Sequence, residues 1–286
     1  MNNPKYQKIL STLDDYDIYI FDLWGVIVEG DKLYPGVIET INEISTSKQV
    51  AFLSNAPRPS NNTFEKISSW GVNVSSHQVL TSGEIARGMM INHQHALSIE
   101  AAKIYHLGAD RNADITIGLE AMLVDNIDQA NMLLLTLYRD EHENLNEFND
   151  LLKNAANKKD FKIICANPDT TIPNLGAIRY CSGYFAQKIE EYGGNVIYTG
   201  KPYAIAYECM LAQITNDVPH HRILMVGDTF KTDILGANRY GIHSGLVLTG
   251  NSQQIHDRLS NISDKIKAVT ATAKELNIVP NLIIDI

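Results

Sequence analysis

A chain of 286 residues that is 44% hydrophobic and 8% aromatic can build one large globular domain or two smaller ones, and two is the expected number. No apolar run approaches the roughly 20 residues that a bilayer-crossing helix needs, so no membrane span is expected. The net charge of -9, with 24 Lys and Arg that never gather into a basic run, argues against nucleic acid as a partner.

The amino-terminal stretch MNNPKYQKILSTLDDYD has scattered charges and no apolar core of the kind a secretory signal carries. Cys165, Cys181 and Cys209 are far apart and odd in number, which suggests neither a disulfide framework nor a zinc site. The cytoplasm is therefore the expected location.

Taken in chain order, short apolar runs predict strands at Ile18–Phe21, Val50–Leu53, Ile104–Leu107, Met132–Leu135, Lys162–Cys165, Val196–Thr199, Ile223–Val226 and Gly245–Leu248. The gaps between them are long enough for helices, the pattern of a parallel α/β sheet. One polar stretch, Arg139 to Lys159, carries apolar residues at Leu145, Phe148, Leu151 and Leu152 and reads as a solvent-facing amphipathic helix. The histidines, including His220 and His221, show no metal-ligand spacing and read as surface residues.

In open α/β sheets ligands bind beyond the carboxyl ends of the strands. Four such ends carry groups that packing alone explains poorly. Asp22 follows IYIF; Ser54 closes VAFL and is followed by Asn55; Lys201 lies in TGKP; and Gly227-Asp228-Thr229 follows ILMV, with Asp233 five residues beyond Asp228. Each alone could be a helix cap or a turn residue. Together they supply a carboxylate nucleophile, a hydroxyl, a fixed cation and acidic ligands for a hard divalent metal, the parts a phosphoryl-transfer site needs.

This set, in this order, resembles the haloacid dehalogenase superfamily of phosphohydrolases. The long insertion between the Ser54 and Lys201 motifs is similar to the α/β cap of the class IIA group, which includes NagD-like, pyridoxal phosphatase-like and para-nitrophenylphosphatase-like members. Ala166-Asn167-Pro168-Asp169, followed by Pro173 and Gly176, looks like that group's cap signature, and GDTFKTDILGANRYGI with the later Leu248-Thr249-Gly250 looks like its carboxyl-terminal core.

The resemblance implies a Rossmann-like catalytic core at residues 1–83 and 197–286 with an inserted α/β cap at 84–196. It further implies an aspartyl-phosphate intermediate at Asp22, with Ser54 and Lys201 as its catalytic companions. Mg2+ would be held by Asp22, the backbone carbonyl of Trp24, Asp228 and Asp233. Trp24, Asn55, Arg58, Asn167 and Asp169 are the candidate substrate contacts. The implied partner is a small phosphorylated substrate, with room for a homodimer formed through the cap.

Position 24 departs from the pattern, because the family places there a second aspartate that protonates the leaving oxygen and later activates water. Tryptophan does neither: its indole N–H is a donor without useful acidity and it has no basic lone pair. General acid–base help is worth roughly 10²- to 10⁴-fold. Three outcomes follow: a substrate with a good leaving group, a proton supplied from the cap with Asp169 the nearest candidate by motif, or a phosphometabolite-binding protein with weak or no turnover. Trp24 itself is expected either as packing under the cap or, preferably, as a pocket wall that stacks on a planar substrate.

Overall fold

A computed structural model describes residues 3–174, 177–214 and 217–286. By backbone contacts the chain divides into two compact units. The first comprises Met1–Ser54, Thr63–Leu80 and Ala206–Ile286, and the second Asn55–Asn62 and Thr81–Ile205.

The first unit is built on a seven-stranded sheet in the order Lys5–Lys8, Leu282–Asp285, His243–Val247, Ile223–Gly227, Ile18–Phe21, Gln49–Ser54, Val79–Thr81. Pairing is parallel from Lys5–Lys8 through Gln49–Ser54. All four residues of Ile18–Phe21 are buried, as a strand covered on both faces requires. Its inward aromatics continue across the sheet, Tyr19 on Phe21 and Phe21 on Phe52 with centroids 6.4 and 6.1 Å apart. The Val37–Ser45 helix buries Val37, Ile41 and Ile44, one stripe at helical spacing, into the same core.

The second unit holds a four-stranded parallel sheet in the order Val196–Tyr198, Lys162–Cys165, Met132–Thr136, Ile104–Gly108. A three-stranded antiparallel sheet of Thr171–Asn174, Ala177–Cys181 and Tyr138–Asp140 accompanies it. Met132–Thr136 is buried throughout, and its leucines divide between two apolar clusters, Leu133 and Leu135 in one, Leu134 in the other, as side chains on opposite faces of a strand must. This mixed α/β architecture with parallel sheets is the fold class read from the sequence.

The amphipathic helix expected over Arg139 to Lys159 is a correction. Residues Tyr138–Asp140 form a strand, Leu145–Phe148 a 3₁₀ turn, and only Asn149–Asn157 an α-helix. Local side-chain bonds take the backbone out of helical pairing before that point. Glu143 Oε1 accepts from the Asp140 N–H at 2.9 Å, Asp140 Oδ1 from the His142 N–H at 3.1 Å, and Asn144 Oδ1 from the Asn146 N–H at 3.2 Å.

Of the expected strands, Gly245–Leu248 is displaced to His243–Val247, and the strands at Lys5–Lys8 and Leu282–Asp285 are additions. Lys5–Lys8, sequence KYQK, has no apolar run because it is an edge strand with no face fully covered. The pair His220 and His221 lies in an exposed 3₁₀ turn, with the His220 ring against Tyr240. Cys165, Cys181 and Cys209 are free thiols. Among the described residues no helix is long and apolar enough to cross a membrane.

Candidate active site

In the first unit Asp22 stands one residue past the end of a central strand. Its N–H donates to the Val226 carbonyl at 2.9 Å, so sheet pairing continues past the strand end and fixes Asp22 beside the end of Ile223–Gly227. Asp228 follows that neighbouring strand directly, and Asp233 lies in the single π-turn Phe230–Ile234 that leads into the helix Leu235–Tyr240. Asp233 therefore precedes that helix rather than opening it. The wider turn keeps its carboxylate near the sheet, where Asp233 Oδ2 accepts from the Thr229 N–H at 3.0 Å.

Asp22, Asp228 and Asp233 each offer a carboxylate oxygen within 4.8 Å of the others. Asp228 and Asp233 are buried. Burial first, then the charges of Asp233 and Asp22, push the Asp228 carboxyl well above the usual carboxylate range, against the opposing pull of hydrogen bonds from the Asn251 N–H and the Thr229 hydroxyl. Such a set of hard oxygen donors, one of them held well above the usual carboxylate range by burial and its neighbours' charges, fits a hard divalent cation such as Mg2+.

The backbone around the trio is drawn in tightly. Gly25 and Gly250 have φ of +81° and +60°, and a Cβ on either would strike the Asp228 carboxylate. A third loop closes the wall: Thr249 Oγ1 donates to the Gly25 carbonyl at 2.5 Å, the Asn251 N–H to Asp228 Oδ2 at 2.6 Å, and Asn251 Nδ2 to Thr229 Oγ1 at 2.7 Å. Tyr34 joins it by accepting from the Gly250 N–H at 3.2 Å. The sequence reading stopped at Gly250 and missed Asn251 and Tyr34. Asn251 had a usable signal, an amide one residue past a glycine at a strand end; Tyr34 had none, since its role depends on a hairpin.

Ser54, the last residue of Gln49–Ser54, is buried in the strand adjacent to Asp22's own. Trp24 does not pack in the core. Its side chain leaves 47% of the residue exposed, and Lys66 Nζ from the Ser60–Ser69 helix sits 4.7 Å from its ring centroid and 5.4 Å from that of Trp70. The indole is thus held by a cation–π contact on one face. The Trp24 backbone forms a bridge to Val28.

The remaining expected residues lie in the second unit. Lys201 is 1% exposed, and its backbone is gripped by one carboxamide: Asn55 Oδ1 accepts from the Lys201 N–H at 2.8 Å while Asn55 Nδ2 donates to the Lys201 carbonyl at 3.0 Å. Asn55 Nδ2 also donates to Asp169 Oδ1 at 2.9 Å. Asn167 is buried and makes an Asx turn, its Oδ1 accepting from the Asp169 N–H at 3.0 Å. Arg58 hydrogen-bonds the Arg111 carbonyl and faces Asp114 at 3.9 Å, so the structure gives it a loop-stabilising set of partners. Pro173 lies in Thr171–Asn174, and Gly176 is outside the described residues.

A family model for haloacid dehalogenase-like hydrolases matches residues 19–119, which take in Asp22 and Ser54, and a HAD-hydrolase-like model matches residues 198–276, which take in Lys201, Asp228 and Asp233. The chain belongs to the haloacid dehalogenase superfamily. Within it, the sugar-phosphatase AraL of Bacillus subtilis is 25% identical over 90% of this chain and 93% of that protein. The 4-nitrophenylphosphatase of Schizosaccharomyces pombe is 24% identical over 89% of this chain and 90% of its own length.

Among solved haloacid dehalogenase structures, a possible sugar phosphatase from Cytophaga hutchinsonii superposes with a TM-score of 0.76 at 26% identity, covering 99% of this chain and 98% of that one. The 4-nitrophenylphosphatase of Thermotoga maritima, with a TM-score of 0.68 at 22% identity and 95% coverage of both chains, shares the fold.

Proposed function

We propose that this protein is a Mg2+-dependent phosphohydrolase of the haloacid dehalogenase type that acts on a small phosphorylated metabolite through an aspartyl phosphate at Asp22. The observation that carries the reading is the trio of Asp22, Asp228 and Asp233 gathered within 4.8 Å at adjacent strand ends. We take residues 1–83 and 197–286 as the catalytic core and residues 84–196 as the inserted cap.

In the first half-reaction an Asp22 carboxylate oxygen attacks phosphorus, the bond from phosphorus to the leaving oxygen breaks, and that oxygen leaves as the conjugate base or takes a proton from water. In the second, water adds to phosphorus, loses a proton to solvent, and the acyl phosphate bond breaks to return the carboxylate and release inorganic phosphate. Splitting one displacement into two is what a nucleophilic carboxylate contributes. Bound Mg2+ would offset the charge of the three carboxylates and of the phosphoryl oxygens.

The Ser54 hydroxyl would donate to a phosphoryl oxygen, and Lys201 would balance its charge from a backbone that Asn55 holds. With Trp24 where the family has its acid and base, leaving-group quality sets the first rate. An aryl phosphate such as para-nitrophenyl phosphate should therefore react well, and an alkyl phosphate slowly.

The named phosphatases among the relatives favour turnover over a ligand-sensing role. Incubation with Mg2+ and a panel that includes para-nitrophenyl and acetyl phosphate, beside Asp22→Asn, tests this. Wild type active and Asp22→Asn inactive is the expected result; equal inactivity throughout would sink the enzyme.

A further inference from the structure

The second unit has a strand-end edge of its own. Ile104–Gly108, Met132–Thr136, Lys162–Cys165 and Val196–Tyr198 are mutually parallel, so the residues just past each end gather on one side of the sheet. Among them are Asp110 and Arg111, Tyr138, Asn167 with Asp169, and Lys201. Lys201 follows the strand at one margin of this sheet and Arg111 the strand at the other, three strand spacings away. At roughly 4.8 Å per spacing the two strands stand about 14 Å apart.

Arg111 combines two features that Arg139, over Phe148 but paired with Glu143, and Arg87, bonded to the Ile115 carbonyl, each have only in part. Its guanidinium carbon lies 4.5 Å from the Tyr138 ring centroid, and its carbonyl is fixed by Arg58. Arg58, Arg139 and Arg179 in the same unit each face a carboxylate, respectively Asp114, Glu143 and Asp140. Among the described residues no carboxylate is paired with Arg111, and its side chain is exposed. A guanidinium laid along an aromatic face keeps its N–H fork free at the edge, the geometry that receives carboxylate or phosphate bidentately.

We propose that Arg111, seated on Tyr138, is a specificity residue that receives a second anionic group, phosphate or carboxylate, on the leaving-group side of a phosphomonoester whose transferring phosphoryl is held at Lys201. This rests on the phosphatase reading and deepens it: the preferred substrate is an extended, doubly anionic phosphate.

The test measures kcat/KM of the full chain on fructose 1,6-bisphosphate, 6-phosphogluconate and glucose 6-phosphate, for wild type, Arg111→Met and Arg111→Lys. Wild type is expected to favour the doubly anionic substrates. Arg111→Met should lower the ratio of each to glucose 6-phosphate by about 10- to 100-fold, mainly through KM, as loss of a charged hydrogen bond does, and Arg111→Lys should restore part of it. Which of the two ratios moves more distinguishes a phosphate from a carboxylate as the partner. A purely structural role would lower all three substrates alike, and an unchanged ratio overturns the proposal.

Ligand-induced thermal stabilisation of Asp22→Asn by the same compounds keeps the inference separate from turnover. Stabilisation by fructose 1,6-bisphosphate that is lost in Asp22→Asn with Arg111→Met upholds it even in a protein with no activity. Equal stabilisation, or none in either, overturns it.

Discussion

The two parallel sheets of this chain follow one construction rule and arrive at different chemistry. In the first unit Asp22 and Asp228 at two strand ends and Asp233 in the π-turn bring three carboxylates together, and burial with the Asp233 and Asp22 charges holds the Asp228 carboxyl well above the usual carboxylate range. In the second, the strand ends carry two cations, Lys201 and Arg111, alongside Asp110 and Asp169, with Asn55 bonded to the Lys201 backbone and Asn167 to the Asp169 N–H. A parallel sheet gathers loop residues on one edge whatever their chemistry. The residue types placed there decide whether that edge suits a metal or an anion.

Expected outcomes that break or sharpen this contrast begin with the nucleophile. Asp22→Asn keeps the size of the side chain but cannot form the acyl phosphate, so turnover of para-nitrophenyl phosphate should fall by about 10³-fold or more in a steady-state assay. Trp24→Asp comes next. If the acid–base position alone is missing, kcat on alkyl phosphates should rise by roughly 10²- to 10⁴-fold while para-nitrophenyl phosphate gains less; no gain on either would mean that a proton is already supplied elsewhere.

On the cationic side, Lys201→Met should lower kcat by roughly 10²- to 10³-fold, the usual cost of one preorganised charge contact to the reacting group. Asn55→Ala, which frees the Lys201 backbone, should follow in the same direction with a smaller loss.

The contrast also has a stability signature. Asp228 has a raised pKa in the folded state, so it favours folding only while protonated, and that contribution is lost as pH rises through the raised value. At neutral pH without metal the Asp228 carboxyl therefore works against the fold. Asp228→Asn should raise the Tm of chelator-treated protein by about 2–4 °C and remove most of the further rise on adding Mg2+, both readable by thermal melts.

The smallest effect belongs to the second unit. Burial lowers the His106 pKa below 6.5, and its Nε2 lies 2.6 Å from Thr136 Oγ1. A neutral buried imidazole supports the fold above its unfolded pKa and loses that support as pH falls toward the lowered value. Melting between pH 7 and pH 5 should show a modest loss that His106→Gln flattens.

Most of this site was legible before any coordinates because catalytic residues at strand ends leave short, local signatures. IYIF before Asp22, VAFL before Ser54 and ILMV before Gly227 are apolar runs that must stop where the sheet stops, and a polar residue there stands out. Residues 139–148 were misread because three side-chain-to-backbone bonds override an apolar periodicity that a window of sequence cannot distinguish from a helix. Asn251 and Tyr34 were missed because their partners, Asp228 and Gly250, are remote in sequence.

For this chain the sequence by itself determined the α/β class, the order of the motifs and the chemistry on offer, since hydrophobic period and residue type are local properties. Only the tertiary structure decided that three carboxylates from two strand ends and a π-turn converge, that Trp24 lies exposed under Lys66, that one Asn55 carboxamide spans to Lys201 and Asp169, and that Arg111 rests on Tyr138 without a carboxylate. Those are distances between residues far apart along the chain, set by strand order and pairing.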